Sequence, residues 1–486
     1  MRLSSARRTM PWFMTPAPAL AATVMLATVG VLRLSGKQWP WPLVWLLACA
    51  AVVVVDPWAL LQAGFWLSFV AVGVLFATDS EAATAHKKGV RGHFYSNFRQ
   101  QWVITLALTP LTLLLFGQVS IVGLVANALA IPWVTLVLTP LAMLGVLLPY
   151  LWSLAALAIQ AMTWYLQVLA SFPFASLSVA QAPLWAGVAG VMGGLLLAMP
   201  WPWRLRFLGL PLVLPVLLWQ APHPVDGHFE LLAADIGQGN AVIVRTAQHA
   251  LVYDAGPRFS RDSDAGHRVV VPLLRALDVS VDRLMISHRD SDHIGGAAAV
   301  LAQQPQADLM SSVDADNTIQ GVRQATRCVA GQYWRWDGVD FHVLHPSLAD
   351  YDPPKKSNAM SCVLRISNGI HTALLVGDIE KAQEMRLVEE GAQLRADVLL
   401  VPHHGSKTSS SPEFLDVVKP KLALVQSGYR NRYGHPAESV LVRYAERQIR
   451  VLDSPHCGAA TWQSTQPTVV KCHREEALRY WHHRVP

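Results

Sequence analysis

Long apolar runs fill the first 220 residues of this 486-residue chain, and they limit its fold more than any other feature. About 20 predominantly apolar residues suffice for a helix to cross a bilayer. We therefore expect a polytopic helical membrane domain over residues 1–220. Its predicted spans are 17–33, 40–55, 58–77, 102–117, 119–148, 183–200 and 205–220. The run 119–148 has the length of two short spans, and the more polar segment 151–172 can either span or lie at the interface.

Prolines and one acidic residue interrupt these runs. Pro110, Pro132 and Pro140 lie inside apolar stretches and predict kinked or broken helices. Asp56 precedes Pro57 and predicts a break between spans. At such a break, a helix-capping role is favoured over a functional carboxylate.

Basic residues predict an orientation, because cytoplasmic loops are rich in Lys and Arg. The loop 78–101 and the pair Arg204 and Arg206 carry this charge. Counting the crossings places residues 221–486 outside the cytoplasm. The basic residues ahead of the first span favour the opposite orientation for the first spans; they are Arg2, Arg7 and Arg8. We expect no cleavable signal peptide.

The chain changes character after Ala221–Pro224, which reads as a linker. Short β-type runs separated by Gly-containing turns then predict an α/β domain over residues 221–486. The net charge of +6 permits contact with nucleic acid or anionic lipid without demonstrating either. No Cys-x-x-Cys pair suggests a zinc ribbon. The spacing allows a Cys457–Cys472 disulfide if this domain faces an oxidising compartment.

Four good metal ligands occur within six residues at His288, Asp290, Asp292 and His293. They follow the apolar run 283–287, which predicts a strand that ends and releases a loop. Imidazole and carboxylate groups suit zinc, manganese or iron. Two such metals can activate a water and hold the leaving oxygen of a phosphodiester. One or two of these residues alone would be ordinary solvated groups, but four together predict a metal site.

The segment 288–293 resembles the first metal motif of the metallo-β-lactamase superfamily, with Asp290 where many members carry a second His. Three further segments resemble the ComEC competence proteins of DNA uptake: Asp56–Phe69, Asn127–Pro132 and Asp235–Ala241. In the last of these, Asn240 replaces the usual acid. The resemblance covers nearly the whole chain. Because full-length relatives usually begin with another soluble domain and more spans, it implies a shortened member.

This resemblance implies a polytopic α-helical membrane domain followed by an α/β metallo-β-lactamase-like αββα sandwich. It implies one or two divalent ions, zinc or manganese, as cofactors. The implied ligands are His288, Asp290, Asp292, His293, Asp378 and His403. Asp378 would bridge two ions, although it could instead cap the helix 380–390. Asn358 lies where many relatives offer another His, so one ion would be short of ligands, and single occupancy at rest is expected.

The resemblance also implies which side chains would act on a substrate. Asp292, His404 and His435 are the expected catalytic residues, and His404 could either ligate metal or position water. A structural turn before Pro436 explains His435 equally well. Ser406 and Lys407 follow the two histidines and could hold a phosphate. Arg430 and Arg432 lie among tyrosines, a mixture that suits nucleic-acid backbone and base stacking.

Together these features predict a component of natural transformation in the inner (cytoplasmic) membrane. The helices would form part of a DNA channel, and the C-terminal domain, on the periplasmic side, would be a metal-dependent nuclease. Its expected partners are single-stranded DNA, the lipid bilayer, other proteins of DNA uptake and further copies of the chain. Two alternatives are a membrane-tethered hydrolase of small esters or lipids, and a silent domain that only binds DNA.

Overall fold

The computed structural model describes residues 17–34, 36, 39–78, 90–172, 174–353 and 355–485. The chain divides into two compact units, Met1–Ala221 and Pro222–Pro486. Some of the basic residues that predict the orientation lie outside the described residues. They are Arg2, Arg7 and Arg8 ahead of the first span, and Lys87 and Lys88 in the loop 78–101.

The first unit is helical. Its helices are α1 (Ala17–Leu34), α2 (Trp41–Val55), α3 (Ala63–Thr78), α4 (Val90–Phe116), α5 (Gly123–Trp133), α6 (Thr139–Leu144), α7 (Tyr150–Ala170), α8 (Leu184–Ala198), α9 (Trp203–Arg206) and α10 (Gly209–Leu217). A short hairpin joins β1 (Gln118–Ser120) to β2 (Ser176–Ser178). Among the described residues, two continuous helical stretches are long and apolar enough to cross a membrane, Gly123–Leu144 and Tyr150–Ala170.

The helix boundaries differ from the predicted spans in three places. The run 119–148 forms β1 and a single helical stretch, since a π-helical turn (Val134–Leu138) joins α5 to α6. The mixed segment 151–172 falls in α7, which passes the same test of length and apolarity. The expected span 58–77 is divided by a 3₁₀ turn (Pro57–Leu61). Asp56 caps that turn, as expected, because its carboxylate accepts the Trp58 N–H at 3.0 Å.

Small residues bring α8 and α10 close together. A Cβ built on Gly193 of α8 would lie 2.5 Å from the Gly209 carbonyl oxygen of α10. A Cβ on Gly194 would lie 2.9 Å from the ring of Pro110, inside α4. Close backbone approach through small residues is the usual way for apolar helices to associate in lipid. Larger side chains at these glycines would separate the three helices.

The second unit contains two large sheets. The first has eight strands in the order β10-β9-β8-β5-β4-β3-β18-β19. They are β3 (Glu230–Ala233), β4 (Val242–Arg245), β5 (Ala250–Tyr253), β8 (Arg283–Ile286), β9 (Asp308–Ser311), β10 (Ala325–Arg327), β18 (Ala460–Gln463) and β19 (Val470–Cys472). A separate small hairpin joins β6 (Arg258–Ser260) to β7 (Ser263–Asp264). Strands β5, β8, β9 and β10 run parallel.

The second sheet has seven strands in sequential order from β11 to β17. They are β11 (Tyr333–Trp336), β12 (Val339–His345), β13 (Val363–Ser367), β14 (Thr372–Leu375), β15 (Val398–Leu400), β16 (Leu422–Val425) and β17 (Arg450–Asp453). Strands β14 to β17 run parallel. Side chains alternate between faces along each strand. In β3, Leu231 therefore packs between the sheets while Leu232 packs on the outer face.

Helices cover both outer faces and complete the four layers. The helices are α11 (Val271–Ala276), α12 (Ser291–Ile294), α13 (Ala297–Gln303), α14 (Ile319–Val322), α15 (Lys381–Glu389), α16 (Pro412–Val418), α17 (Glu438–Glu446), α18 (Ser454–Cys457) and α19 (His473–Glu476). One core lies between the sheets, a second under α11 and α13, and a third under α15, α16 and α17. This arrangement confirms the predicted αββα sandwich.

Candidate metal centre

The expected ligands come together where parallel strands of both sheets end. Residues that follow the carboxyl ends of neighbouring parallel strands meet at one edge of a sheet. Asp254 follows β5 and His288 begins the loop after β8 in the first sheet. Asp378 follows β14 and His404 follows β15 in the second sheet. The two sheets therefore bring four short sequence segments to one place.

Four side chains form the tightest group there. The Nε2 atom of His293 lies 3.2 Å from Oδ1 of Asp378. The Nε2 atom of His404 lies 3.5 Å from Oδ2 of Asp378 and 3.4 Å from Oδ2 of Asp292. His293, His404 and Asp378 are almost completely buried. These four residues could hold one metal ion from four directions.

The donor atoms of this group fit a cation. The Nε2 atoms of His293 and His404 and the Oδ1 atom of Asp378 are buried and have no hydrogen-bond partner in the described chain. Burying polar atoms without partners is costly unless something else satisfies them. Imidazole and carboxylate are the ligand types that zinc and manganese take. The residues present therefore fit the divalent metal that the predicted fold implies.

A second group is built around His288, whose ring also lies close to His293 and Asp378. The buried Nε2 atom of His288, also without a hydrogen-bond partner in the described chain, lies 3.6 Å from Oδ2 of Asp290. The nearby His288 imidazole outweighs burial and lowers the pKa of Asp290 to about 2. Asp290 begins the short helix α12, but its side chain makes no capping hydrogen bond. His288 and Asp290 could therefore hold a second ion with Asp378 between the two.

Asn358 lies at the open side of this second group. Its Nδ2 atom is 3.4 Å from Nε2 of His403. His403 in turn lies 3.7 Å from Oδ2 of Asp378, and its ring is about a fifth exposed. Apart from Asp378, which it would share with the first group, the second group thus offers His288 and Asp290 as side-chain donors.

The adjacent histidines point to different surroundings. Both have left-handed backbone conformations, with φ of 50° at His403 and 55° at His404. His404 is buried, and its Nδ1 lies 2.8 Å from the Gln426 carbonyl oxygen, which leaves Nε2 facing the metal group. His403 is partly exposed. Its Nδ1 lies near Thr408 and Glu380, and its Nε2 is 3.7 Å from Oδ2 of Asp378, slightly farther than Nε2 of His404. The geometry therefore favours His404 as the ligand, whereas the sequence favoured His403.

Asp254 and two serines hold the ligands from behind. The Asp254 carboxylate accepts the Ser287 N–H at 2.7 Å and the Ser287 hydroxyl at 2.8 Å, and it lies 2.8 Å from Nδ1 of His293. The Ser361 hydroxyl accepts the Asp378 N–H at 3.0 Å. Asp378 does not cap the following helix, because Glu380 occupies the capping position. These contacts fix ring orientation and tautomer, as outer partners of metal ligands usually do.

Gln426 is a supporting residue that the sequence did not reveal. It is buried, accepts the Ala241 N–H at 3.1 Å, and donates to the Ala234 oxygen at 2.7 Å. Its backbone oxygen receives His404. The sequence feature that could have identified it is a lone Gln directly after the apolar strand β16. Gln426 therefore connects the first sheet to the ligand that the second sheet supplies.

Gly239 allows the loop between β3 and β4 to reach the metal loop. A Cβ at this position would lie 2.2 Å from the Asp292 carbonyl oxygen, and φ is 131°. Only glycine tolerates both conditions. The neighbouring Asn240 donates its backbone N–H to the same oxygen at 3.1 Å. The role of this segment here is therefore to brace Asp292 through the backbone.

The expected substrate-binding residues differ in accessibility. Lys407, Arg430 and Arg432 are exposed. The guanidinium of Arg430 lies 5.1 Å from the ring centre of Tyr429, and that of Arg432 lies 4.8 Å from that of Tyr433. Ser406 is buried, and its hydroxyl lies 3.1 Å from that of Thr408. Phosphate contact is therefore open to the three cations and not to the Ser406 hydroxyl in this conformation.

His435 lies beside the two adjacent histidines. Its ring centre is 5.9 Å from that of His403 and 6.5 Å from that of His404. Burial, followed by the neighbouring imidazoles, lowers the pKa of His435. Burial raises the pKa of Asp378, but His293 and His404 outweigh it and hold that pKa well below its ordinary value. The centre thus combines an ionised carboxylate with a neutral imidazole at its rim.

Two family models match the chain. Residues 15–204 match the competence protein family, and residues 234–428 match the metallo-beta-lactamase superfamily. The second match implies a divalent metal, without giving its identity or number. The first implies a membrane location.

Curated relatives match both units together. An uncharacterized protein of Escherichia coli, YcaI, is 30% identical over 96% of this chain and 62% of its own length. Competence protein ComA of Neisseria gonorrhoeae is 34% identical over 91% of this chain and 61% of its own. ComE operon protein 3 of Bacillus subtilis is 27% identical over 86% of this chain and 57% of its own. The chain spans about three fifths of the length of these relatives, and with both domains in this order it belongs to the ComEC family of competence proteins.

Proposed function

We propose that this chain acts in DNA uptake during natural transformation, with residues 221–486 as a metal-dependent phosphodiesterase and residues 1–220 as part of the membrane channel. The group of Asp292, His293, Asp378 and His404 carries the proposal, because it gathers four metal-binding side chains, three of which are buried with unsatisfied donor atoms. The names of the relatives support DNA uptake, since two of them are described as competence or ComE operon proteins.

Different residues of the chain would hold the metal ions and contact the substrate. Asp292, His293, Asp378 and His404 would hold one divalent ion, and His288, Asp290 and Asp378 would hold a second. A divalent ion supplies Lewis acidity, which lowers the pKa of water and neutralises charge on a phosphodiester. We place His403 near the substrate, since its ring is partly exposed and its Nδ1 atom lies near Glu380 and Thr408.

Positive and aromatic side chains surround the open side of the centre. Lys407, Arg430 and Arg432 would neutralise the phosphate, and charge-assisted contacts of this kind are about twice as strong as neutral ones. His435 lies beside the two adjacent histidines, where its neutral imidazole would take a proton from the attacking water and then pass it to the leaving oxygen. Positioned proton transfer contributes roughly 10²–10⁴-fold to a rate. DNA fits this surface better than a small neutral ester because three cations face the solvent.

The membrane part of the proposal rests on the apolar helices. Multiple spans of the inner membrane, with residues 221–486 on the periplasmic side, would place the phosphodiesterase where incoming DNA arrives. The strand that is cleaved would be the one that is not imported. Other proteins of DNA uptake, the bilayer and additional copies of the chain are the proposed partners.

The decisive experiment uses the full chain in neutral-lipid nanodiscs. The protein is loaded with manganese or zinc and incubated with labelled single- and double-stranded DNA. The double variant Asp292→Ala, His293→Ala removes two ligands. Its matched control is Asp340→Ala, His342→Ala, which removes the same residue types from β12 in the second sheet. We expect cleavage with the wild-type chain and the control, and none with the ligand variant.

Other outcomes would redirect the assignment. Cleavage that persists in the ligand variant would show that the site is wrong. Turnover of small ester substrates without DNA cleavage would assign the domain to ester hydrolysis. Tight metal binding without turnover of either substrate would make it a DNA-binding component.

A further inference from the structure

A second basic and aromatic surface lies apart from the metal centre. It borders a cavity of about 690 Å³ in the second unit, between α11 and the C-terminal segment 473–483. Its polar lining is Asp235, Arg268, His473, Arg474, Trp481, His482 and His483. We propose that this cavity, the tail cavity, binds single-stranded DNA next to the metal centre. The inference rests on the proposed function for its ligand and adds a binding site to it.

The cavity has a fixed wall. A disulfide joins Cys457 to Cys472, and the wall residues Gly458 and His473 directly follow these two cysteines. A Cβ on Gly458 would lie 2.7 Å from Cγ of Arg474, so the backbone packs tightly against that side chain. The position of Arg474 is therefore set by a covalent link and by close packing.

The charge of the cavity suits a phosphate backbone. Arg268 is exposed, and its guanidinium lies 5.4 Å from the ring centre of Phe259. Arg474 donates to Asp235, the one carboxylate among the lining residues, at 2.6 Å. Three histidines complete the polar side. Arg474 is thus already paired with Asp235, whereas the exposed Arg268 is open to a phosphate.

Aromatic side chains connect the tail cavity to the metal centre. The Nε2 atom of His483 lies 3.2 Å from the Tyr429 hydroxyl. Tyr429 begins the exposed loop that carries Arg430, and Tyr433 on the same loop stacks against His435 at 5.7 Å. These contacts link the rim of the cavity, through Tyr429, to the loop that also carries His435.

This pattern favours a single strand over other anionic ligands. Unpaired bases stack on aromatic rings while cations follow the backbone. A duplex keeps its bases inside and would leave Trp481 without a stacking role. A lipid surface could bind the same cations, but it would not need the contacts that link the cavity to the loop of His435. We therefore expect a strand that lies in the tail cavity to lead toward the metal centre.

The test measures binding of fluorescein-labelled oligothymidylate, 20 nucleotides long, to the full chain in neutral-lipid nanodiscs with EDTA. Trp481→Ala should weaken binding roughly tenfold, since stacking of one base is lost. Trp481→Phe should restore most of it. Arg268→Ala should lower the slope of log affinity against log salt by about 0.7, the value for one phosphate of a single strand. The exposed Arg450 on β17 provides the control, and Arg450→Ala should bind like the wild type.

Wild-type binding by both Trp481→Ala and Arg268→Ala would overturn the proposal. So would intact oligothymidylate binding combined with weaker adhesion of the variants to phosphatidylglycerol vesicles, which would assign the cavity to a lipid surface. Because EDTA removes the metal, this result is independent of cleavage. Binding that depends on Trp481 in a chain that cleaves no DNA would retain the tail cavity and reject the phosphodiesterase.

Discussion

The Nδ1 atom of His293 lies 2.8 Å from the Asp254 carboxylate in a pair that is completely buried. A carboxylate accepts and does not donate at neutral pH, so Nδ1 must carry the proton. Nε2, which lies 3.2 Å from Asp378, is then the ring atom left to bind a cation. Asp254 sits at φ of 59°, which Asp and Asn tolerate better than most residues.

The substitution Asp254→Asn tests this relationship. Its amide group must place a donor against either His293 or Ser287, which disturbs the tautomer that binds metal. We expect zinc affinity to fall roughly 10–100-fold, as it does when other outer partners of metal ligands are removed. Competition with a chelating dye would measure it. Asp308→Asn, an exposed carboxylate paired with Arg283, should leave the affinity unchanged.

The adjacent histidines offer a second prediction. His404→Ala should cost more metal affinity than the roughly 100-fold expected for an outer partner, because a buried ligand is lost. His403→Ala should retain the bound metal and impair turnover instead. Metal analysis after dialysis, together with a cleavage assay, separates the two. Equal metal loss in both variants would contradict the assignment of His404.

Asn358→His adds the donor that the second group is short of. The Asn358 amide lies 3.4 Å from Nε2 of His403, which in turn lies 3.7 Å from Oδ2 of Asp378. We expect the variant to bind two metal ions per chain where the wild type retains one after dialysis. Asn368→His, in the turn after β13, is the control. An unchanged metal count would mean that ligand number does not limit the second group.

The Cys457–Cys472 disulfide closes a loop with a sequence separation of 15 residues. Closing a loop of this length lowers the conformational entropy of the unfolded chain. In this chain-entropy model, the link stabilises the folded state by roughly 3 kcal/mol. The variant Cys457→Ser, Cys472→Ser should therefore unfold at a lower temperature than the wild type without reductant. Cys49→Ser, in the first unit, should leave unfolding of the second unit unchanged. Equal transitions for wild type and double variant would show that the link does not stabilise the unit.

Much of the architecture follows from local sequence. Short β-type runs predicted an α/β domain, and the resemblance of its metal motif implied the sandwich that brings His288, Asp292, His293 and Asp378 together. The choice between His403 and His404 could not be predicted, because it depends on two consecutive left-handed residues. Such conformations are uncommon outside glycine, and sequence spacing carries no sign of them. The ligand assignments themselves remain predictions.

Long-range contacts explain the other differences. Gln426 acts on His404 through a backbone oxygen, so its side-chain type gave no direct sign of that role. The sequence did not predict the contacts of the tail residues His482 and His483, because their neighbours Tyr429 and Arg268 are distant in sequence. The break at Asp56 was predicted, since it depends on a cap two residues from its partner. The sequence did not predict the continuous helical stretch Gly123–Leu144, which contains Pro132. The π-helical turn after this proline accommodates the break that the proline would otherwise cause.

The pairing of β3 with β18 joins residues about 230 positions apart, as in the register of Leu231 with Trp462. Contacts this distant in sequence form slowly, since a long loop must close before they contribute. While the chain is being synthesised, β3 therefore has an open edge until β18 emerges. During that interval it is exposed to pairing with other chains. Yield in an expression host should thus depend on chaperones that bind extended apolar segments, and shortening the chain before residue 460 should cause aggregation.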